Sequence, residues 1–244
     1  MTPSKPGSPQ RVPVFFIIAC ALSALANAGA RVKIDEYDPP EPNSNGAAVI
    51  LLYGSGGLRS PAFNYPDEAR QIARMGYPVY LPHYLDATHG SANDPQSHYE
   101  TWANTQQYTL SRIFERQQYT VSRKGLEGVP QSRIAIVGYS LGGSVALAFA
   151  SKEPHLAGVV VWSGSMPDAY RDVENLPPLL ILHGARDSVI PASNARQLAA
   201  LCAMKHFRCD FSIYPGEGHA FSADGITRAN HQIQAFLQTV LQPR

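Results

Sequence analysis

A chain of 244 residues, 44% of them apolar, can bury one substantial core and is short for two independent domains. Its 20 Lys and Arg are nearly balanced by 19 Asp and Glu, so the charge gives no hold for nucleic acid or an anionic membrane. Small neutral or mildly charged ligands suit such a balance better.

Residues 1–28 read as a secretory signal and 29–244 as one domain. Lys5 and Arg11 precede an apolar run at 14–26, and Ala26-Asn27-Ala28 offers small residues where a signal peptidase cuts. The run is shorter than the roughly 20 residues that cross a bilayer as a helix, so no membrane span is expected after processing. Ile17-Ile18-Ala19-Cys20 loosely resembles a lipoprotein cleavage box, yet the apolar run continues past Cys20, where a lipid-anchored chain usually turns polar. Removal of the segment leaves 18 basic and 19 acidic side chains. The expected location is secreted or periplasmic.

Strands are expected at 31–37, 47–53, 77–82, 133–137, 157–162, 178–183 and 209–214. Most are unbroken aliphatic runs such as Ala47-Ala48-Val49-Ile50-Leu51-Leu52, which implies cover on both faces. Helices are expected between them, at 66–75 closed by Gly76, 96–122, 143–150 and 192–204. In the long segment Trp102, Ala103, Leu110, Ile113 and Phe114 recur at helical spacing, and core packing is the reading for that stripe. A last helix carries Ile226, Ile233, Phe236, Leu237 and Val240 on one face. This alternation describes an α/β fold with a mostly parallel sheet. Cys202 and Cys209, near a helix end and the next strand, form a disulfide if the chain is exported, or stay as two buried thiols.

The strand at 133–137 runs into Gly138-Tyr139-Ser140-Leu141-Gly142 and then a small-residue helix. A strand, a sharp turn and a helix form the context in which Gly-x-Ser-x-Gly carries chemistry, with Ser140 held above the sheet. A serine hydroxyl needs a base, most often a histidine oriented by a carboxylate. Working groups of an open parallel sheet collect in loops at the carboxyl ends of strands. Asp187 follows the strand at 178–183 and His219 follows the strand at 209–214, in the chain order Ser, Asp, His. The alternatives are that Asp187 caps the next helix and that His219 decorates a Pro-Gly turn.

An acyl-transfer site also needs amide donors for its oxyanion. Leu141, following the nucleophile, offers one, and the glycine-rich turn Gly54-Ser55-Gly56-Gly57 offers another, with Ser55 the choice and Gly56 next. Tyr53, Gly56, Tyr139 and Trp162 are the expected substrate contacts. Ser165 and Met166 follow the same strand as Trp162 and could face the site. Arg59 could pair with a substrate carboxylate, though a surface arginine is the simpler reading. His183 reads as structural, bonding neighbouring loops. His83, His89 and His98 fit no compact zinc spacing and read as pocket wall or surface, so no metal is expected.

The runs Leu52-Tyr53-Gly54-Ser55-Gly56-Gly57, Gly138-Tyr139-Ser140-Leu141-Gly142, His183-Gly184 with Asp187, and Gly218-His219 resemble the dienelactone hydrolase family of α/β-hydrolases, over most of the chain from Ala47 to Leu241. The resemblance implies an α/β-hydrolase fold with eight strands or slightly fewer, helices on both faces and a minimal lid. It also implies hydrolysis of a small-molecule ester or lactone with no cofactor. Two positions depart from the family: its founding enzymes carry cysteine where Ser140 stands, and its frequent histidine before the oxyanion glycine is Tyr53 here. Rival readings are a peptidase or acyltransferase on the same three residues, and a secreted binding protein without catalysis.

Overall fold

The computed structural model describes residues 31–41, 46–60, 63–122 and 131–242, with backbone alone over 117–122. The segment read as a secretory signal, with Cys20, lies outside the described residues. Among the described residues seven strands form one sheet: β1 (Ile34–Tyr37), β2 (Ala48–Leu52), β3 (Val79–Pro82), β4 (Ile134–Tyr139), β5 (Gly158–Trp162), β6 (Leu179–Gly184) and β7 (Cys209–Tyr214). Their spatial order is β1-β3-β2-β4-β5-β6-β7. Only β1 runs antiparallel, against β3; the other neighbours are parallel.

Strands β2, β4, β5 and β6 are buried along their whole lengths, as their unbroken aliphatic sequences require. Among the described residues five helices cover them: α1 (Tyr65–Ala73), α2 (Pro95–Ser122), α3 (Leu141–Ala150), α4 (Ala192–Lys205) and α5 (Ala223–Val240). Helix α2 lies against α3, which rests on β4 and β5. Helix α5 docks on β5 and β6 through Ile233, Phe236 and Leu237, each burial worth about 1.5–3 kcal/mol. A β-carbon at Gly158 would meet the Phe236 ring at 2.8 Å, so the small residue lets this helix lie close to β5.

Local chemistry sets the helix ends. Asn64 Oδ1 accepts the Asp67 amide at 3.2 Å and Pro66 occupies the first turn, so α1 starts there. Ser222 Oγ accepts the Gly225 amide at 3.1 Å and starts α5. Strand β4 continues two residues past the expected end at 137, because Gly138 and Tyr139 still pair with Val161 and Trp162. Three short 3-10 turns, Tyr84–Thr88, Gln131–Arg133 and Asp168–Tyr170, have no counterpart among the sequence expectations. Cys202 and Cys209 are joined by a disulfide that ties α4 to β7. Among the described residues no helix is long and apolar enough to cross a membrane.

The chain direction reverses across the sheet at β2: it passes to β3 on one side and then back to β4 on the other. Leu52 pairs with Gly138, so the turns after β2 and β4 leave the sheet at the same level. A crevice at such a switch point is the usual ligand site of an open α/β sheet.

Candidate active site

Ser140 joins β4 directly to α3 with φ 53° and ψ −119°, backbone angles that L-residues rarely adopt. The flanking glycines make that turn possible. A β-carbon at Gly138 would strike the Gly142 carbonyl, and one at Gly142 would strike the Leu52 carbonyl. The Ser140 amide donates to the Trp162 carbonyl at 2.8 Å, which fixes the turn to β5. Strain of this kind costs about 1–3 kcal/mol and persists only where the surroundings enforce it.

The Ser140 Oγ lies 2.8 Å from His219 Nε2. The other ring nitrogen, Nδ1, lies 2.8 Å from Asp187 Oδ2. A carboxylate only accepts, so Nδ1 carries the proton and Nε2 is left to accept from the serine hydroxyl. Asp187 does not cap α4, whose N-cap is Pro191 with no side-chain cap bond. Its Oδ1 accepts the amides of Val189 at 2.9 Å and Ile190 at 2.8 Å, so both oxygens are engaged in a fully buried side chain. His183 is buried and its Nε2 donates to the Ile190 carbonyl at 2.8 Å, passing 3.2 Å from Asp187 Oδ2. It therefore braces the loop that carries the acid, as expected of a structural histidine.

The loop carrying His219 has its own brace. Glu217, 6% exposed, accepts the Ser222 amide at 2.7 Å through Oε2 and the Ser222 hydroxyl at 2.7 Å through Oε1. These hydrogen bonds, backbone first, lower the Glu217 pKa, with Arg228 nearby adding to the effect. Gly184 completes the fit, because a β-carbon there would strike the Gly218 carbonyl. The sequence reading passed over Glu217; its place two residues before His219 was the available signal.

After β2, Gly57 closes a turn by donating to the Gly54 carbonyl at 3.0 Å. The Gly54 amide donates to the Tyr65 hydroxyl at 2.9 Å and is thereby occupied. The amides of Ser55 and Gly56, and that of Leu141 at the start of α3, have no acceptor among the described residues. Ser55 and Gly56 line a cavity of about 150 Å³ with Ser140 and His219. Leu141 is 6% exposed, with its amide at the positive end of the helix dipole.

Tyr139 and Trp162 also line the cavity, as expected, and Phe63, Tyr65 and Phe221, which were not among the expected contacts, join them. Tyr53 does not. It is buried with its ring stacked on Tyr84 at 4.7 Å, and its hydroxyl accepts the Leu85 amide, so its expected role as a substrate contact is corrected to core packing. Burial raises the Tyr53 hydroxyl pKa well above its ordinary value. Ser165 is likewise turned away, its amide donating to Ser144 Oγ at 3.1 Å, and Met166 lines a separate recess with Leu198. His83 bonds Asp35 at 2.8 Å and His98 packs on Trp102, both away from the cavity.

Comparisons with known proteins agree with this architecture. The model of the dienelactone hydrolase family matches residues 36–238. A protein named carboxymethylenebutenolidase from Yersinia pestis is 27% identical over 79% of this chain and 73% of its own. Among solved structures, a dienelactone hydrolase from Klebsiella pneumoniae aligns with TM-score 0.57 at 18% identity, over 85% of this chain and 99% of that one. An esterase from Thermogutta terrifontis aligns with TM-score 0.63 at 19% identity, over 90% and 97% of the two chains. At these identities the structural likenesses speak for the fold.

Proposed function

The chain belongs to the dienelactone hydrolase family, and from that premise we propose that it hydrolyses carboxylic esters or lactones of small substrates through an acyl-serine intermediate. The observation that carries this reading is the pair of 2.8 Å contacts running from Ser140 Oγ through the His219 ring to Asp187. His219 takes the hydroxyl proton as Ser140 attacks the carbonyl carbon, and Asp187 stabilises the imidazolium that forms. The amides of Ser55 and Leu141 hold the oxyanion. Collapse of the tetrahedral intermediate expels the alcohol with the proton from His219. Water then attacks the acyl-serine with His219 again as base, and the acid leaves.

The reading extends to residues 1–28 as a secretory signal, which places the mature protein in the periplasm or medium. An apolar run flanked by Lys5 and Arg11 and the small residues before Gly29 supports this. The mass of the N-terminal peptide of exported protein checks it.

The function is tested with short p-nitrophenyl esters and a fluorophosphonate probe. Wild type turns over the esters and is labelled at Ser140; Ser140→Ala loses activity by on the order of a thousandfold or more and is not labelled. Unchanged turnover in Ser140→Ala overturns the reading, and faster cleavage of peptide anilides than of esters moves it to a peptidase.

A further inference from the structure

The wall of the cavity beside Ser140 is a continuous run of aromatic rings. Phe63 lies 4.2 Å from Tyr139 between ring centres, Tyr139 4.8 Å from Trp162, and Trp162 4.9 Å from Phe221. Among the described lining residues there is no Asp, Glu, Lys or Arg, and the one histidine, His219, is committed to Asp187. The polar tips of the wall are turned to other duties: the Tyr65 hydroxyl accepts from Gly54, and the Tyr139 hydroxyl is buried. Arg228 is drawn off by Glu217 at 3.3 Å and by the Tyr214 ring. Arg59 is exposed outside the cavity. Behind the wall stands a buried acid, Glu68, held by Asn230 rather than turned into the cavity.

These features bear on which ester enters. A cavity of about 150 Å³ with apolar walls takes a body the size of one benzene ring. A carboxylate placed there would lose its water and find no cation in return; the donors present are neutral amides and serine hydroxyls, of which the Ser55 and Leu141 amides are held for the oxyanion, so a net cost of several kcal/mol remains. Building on the ester hydrolysis proposed above, we propose that the site selects uncharged esters bearing one flat ring or a short alkyl group, and discriminates against carboxylate-bearing substrates. Phe63, Trp162 and Phe221 form the aromatic wall, with Phe63 inclined 76° and Phe221 65° to the Trp162 ring, and the uncharged Ser60 and Ile226 line the cavity beside them.

The experiment compares kcat/KM for phenyl acetate, 4-acetoxybenzamide and 4-acetoxybenzoate. The last two match in size and differ in charge, and neither permits attack by its own para group. The amide is expected to be the better substrate by on the order of 100-fold. The gain-of-function arm places a lysine at the rim, as Ser60→Lys and separately as Ile226→Lys. In at least one of them the amide-to-benzoate ratio is expected to fall by about tenfold or more. A ratio within one sample does not depend on how much of the variant is folded. Ser140-dependent turnover of phenyl acetate with no discrimination between the para pair overturns the selectivity and leaves the hydrolase reading standing. A ratio unmoved in both lysine variants also overturns it. Absence of any Ser140-dependent turnover instead removes the hydrolase reading itself.

Discussion

Asn230 Nδ2 donates to the buried carboxyl of Glu68 at 3.1 Å and joins α5 to α1 behind the cavity wall. The Tyr139 hydroxyl, with no well-formed hydrogen bond of its own, faces the same carboxyl. Burial raises the Glu68 pKa above its ordinary 4.5, against the opposing pull of the Asn230 and Tyr139 contacts. A carboxyl whose folded pKa lies above its unfolded one holds its proton better in the folded state. Stability is therefore lost as pH rises from about 4.5 through the folded value, and the loss is complete above it. Glu68→Gln keeps a partner for Asn230 and removes the titration. Urea midpoints are expected to move in favour of the variant on going from pH 4 to pH 8, and a difference independent of pH would contradict this account.

Ser140, the proposed nucleophile, stores backbone strain, with φ 53° on a residue bearing a β-carbon. Ser140→Gly relieves that strain, worth about 1–3 kcal/mol, against a loss of about 0.5–1 kcal/mol from the freer unfolded chain. It is expected to be inactive yet about 1 kcal/mol more stable than Ser140→Ala, which keeps the β-carbon. Urea denaturation of the two variants measures the difference.

Replacing the acid without changing its shape tests how His219 is oriented. Asp187→Asn is expected to lower kcat by on the order of a thousandfold or more, because an amide can present a donor to Nδ1 and favour the wrong tautomer. His183→Ala leaves the catalytic atoms in place but frees the Ile190 carbonyl and one face of Asp187. Its expected signature is a kcat loss of about tenfold with little change in KM. Steady-state kinetics on a short p-nitrophenyl ester reads both.

The disulfide between Cys202 and Cys209 closes a loop of sequence separation 7. Chain-entropy arguments assign a cross-link of that span about 2–3 kcal/mol. The double variant Cys202→Ser with Cys209→Ser is expected to lose stability of that order, and a reductant should lower the wild type alone. Coincident denaturation curves with and without reductant would contradict it.

Gly184→Ala places a β-carbon against the Gly218 carbonyl, where neither backbone can yield without moving His219. The variant is expected to lose activity by about a hundredfold or more while the β-sheet signal in circular dichroism persists. Full activity would mean that the His219 loop adapts freely.

Much of this site was written locally. The glycines around Ser140 are needed by the turn itself, whatever surrounds it, the loop of Asp187 follows the buried apolar strand β6, and that of His219 follows β7, a half-exposed edge strand marked by its alternating residues. Their chain order and their place after strands were therefore legible. The wall was less so: Trp162 and Tyr139 stand at strand ends and could be named, whereas Phe63 and Phe221 sit in loops with no periodicity to betray them.

The sequence by itself determined that strands and helices alternate, that a serine sits on a strained bend, and that an acid and an imidazole follow later strands, because each is a property of neighbouring residues. Only the tertiary structure decided that Tyr53 turns into the core against Tyr84, that Tyr65 takes the Gly54 amide, and that Glu217 locks the His219 loop. Such choices depend on which side chains from separate segments meet and which buried polar groups find partners, and no local period records that.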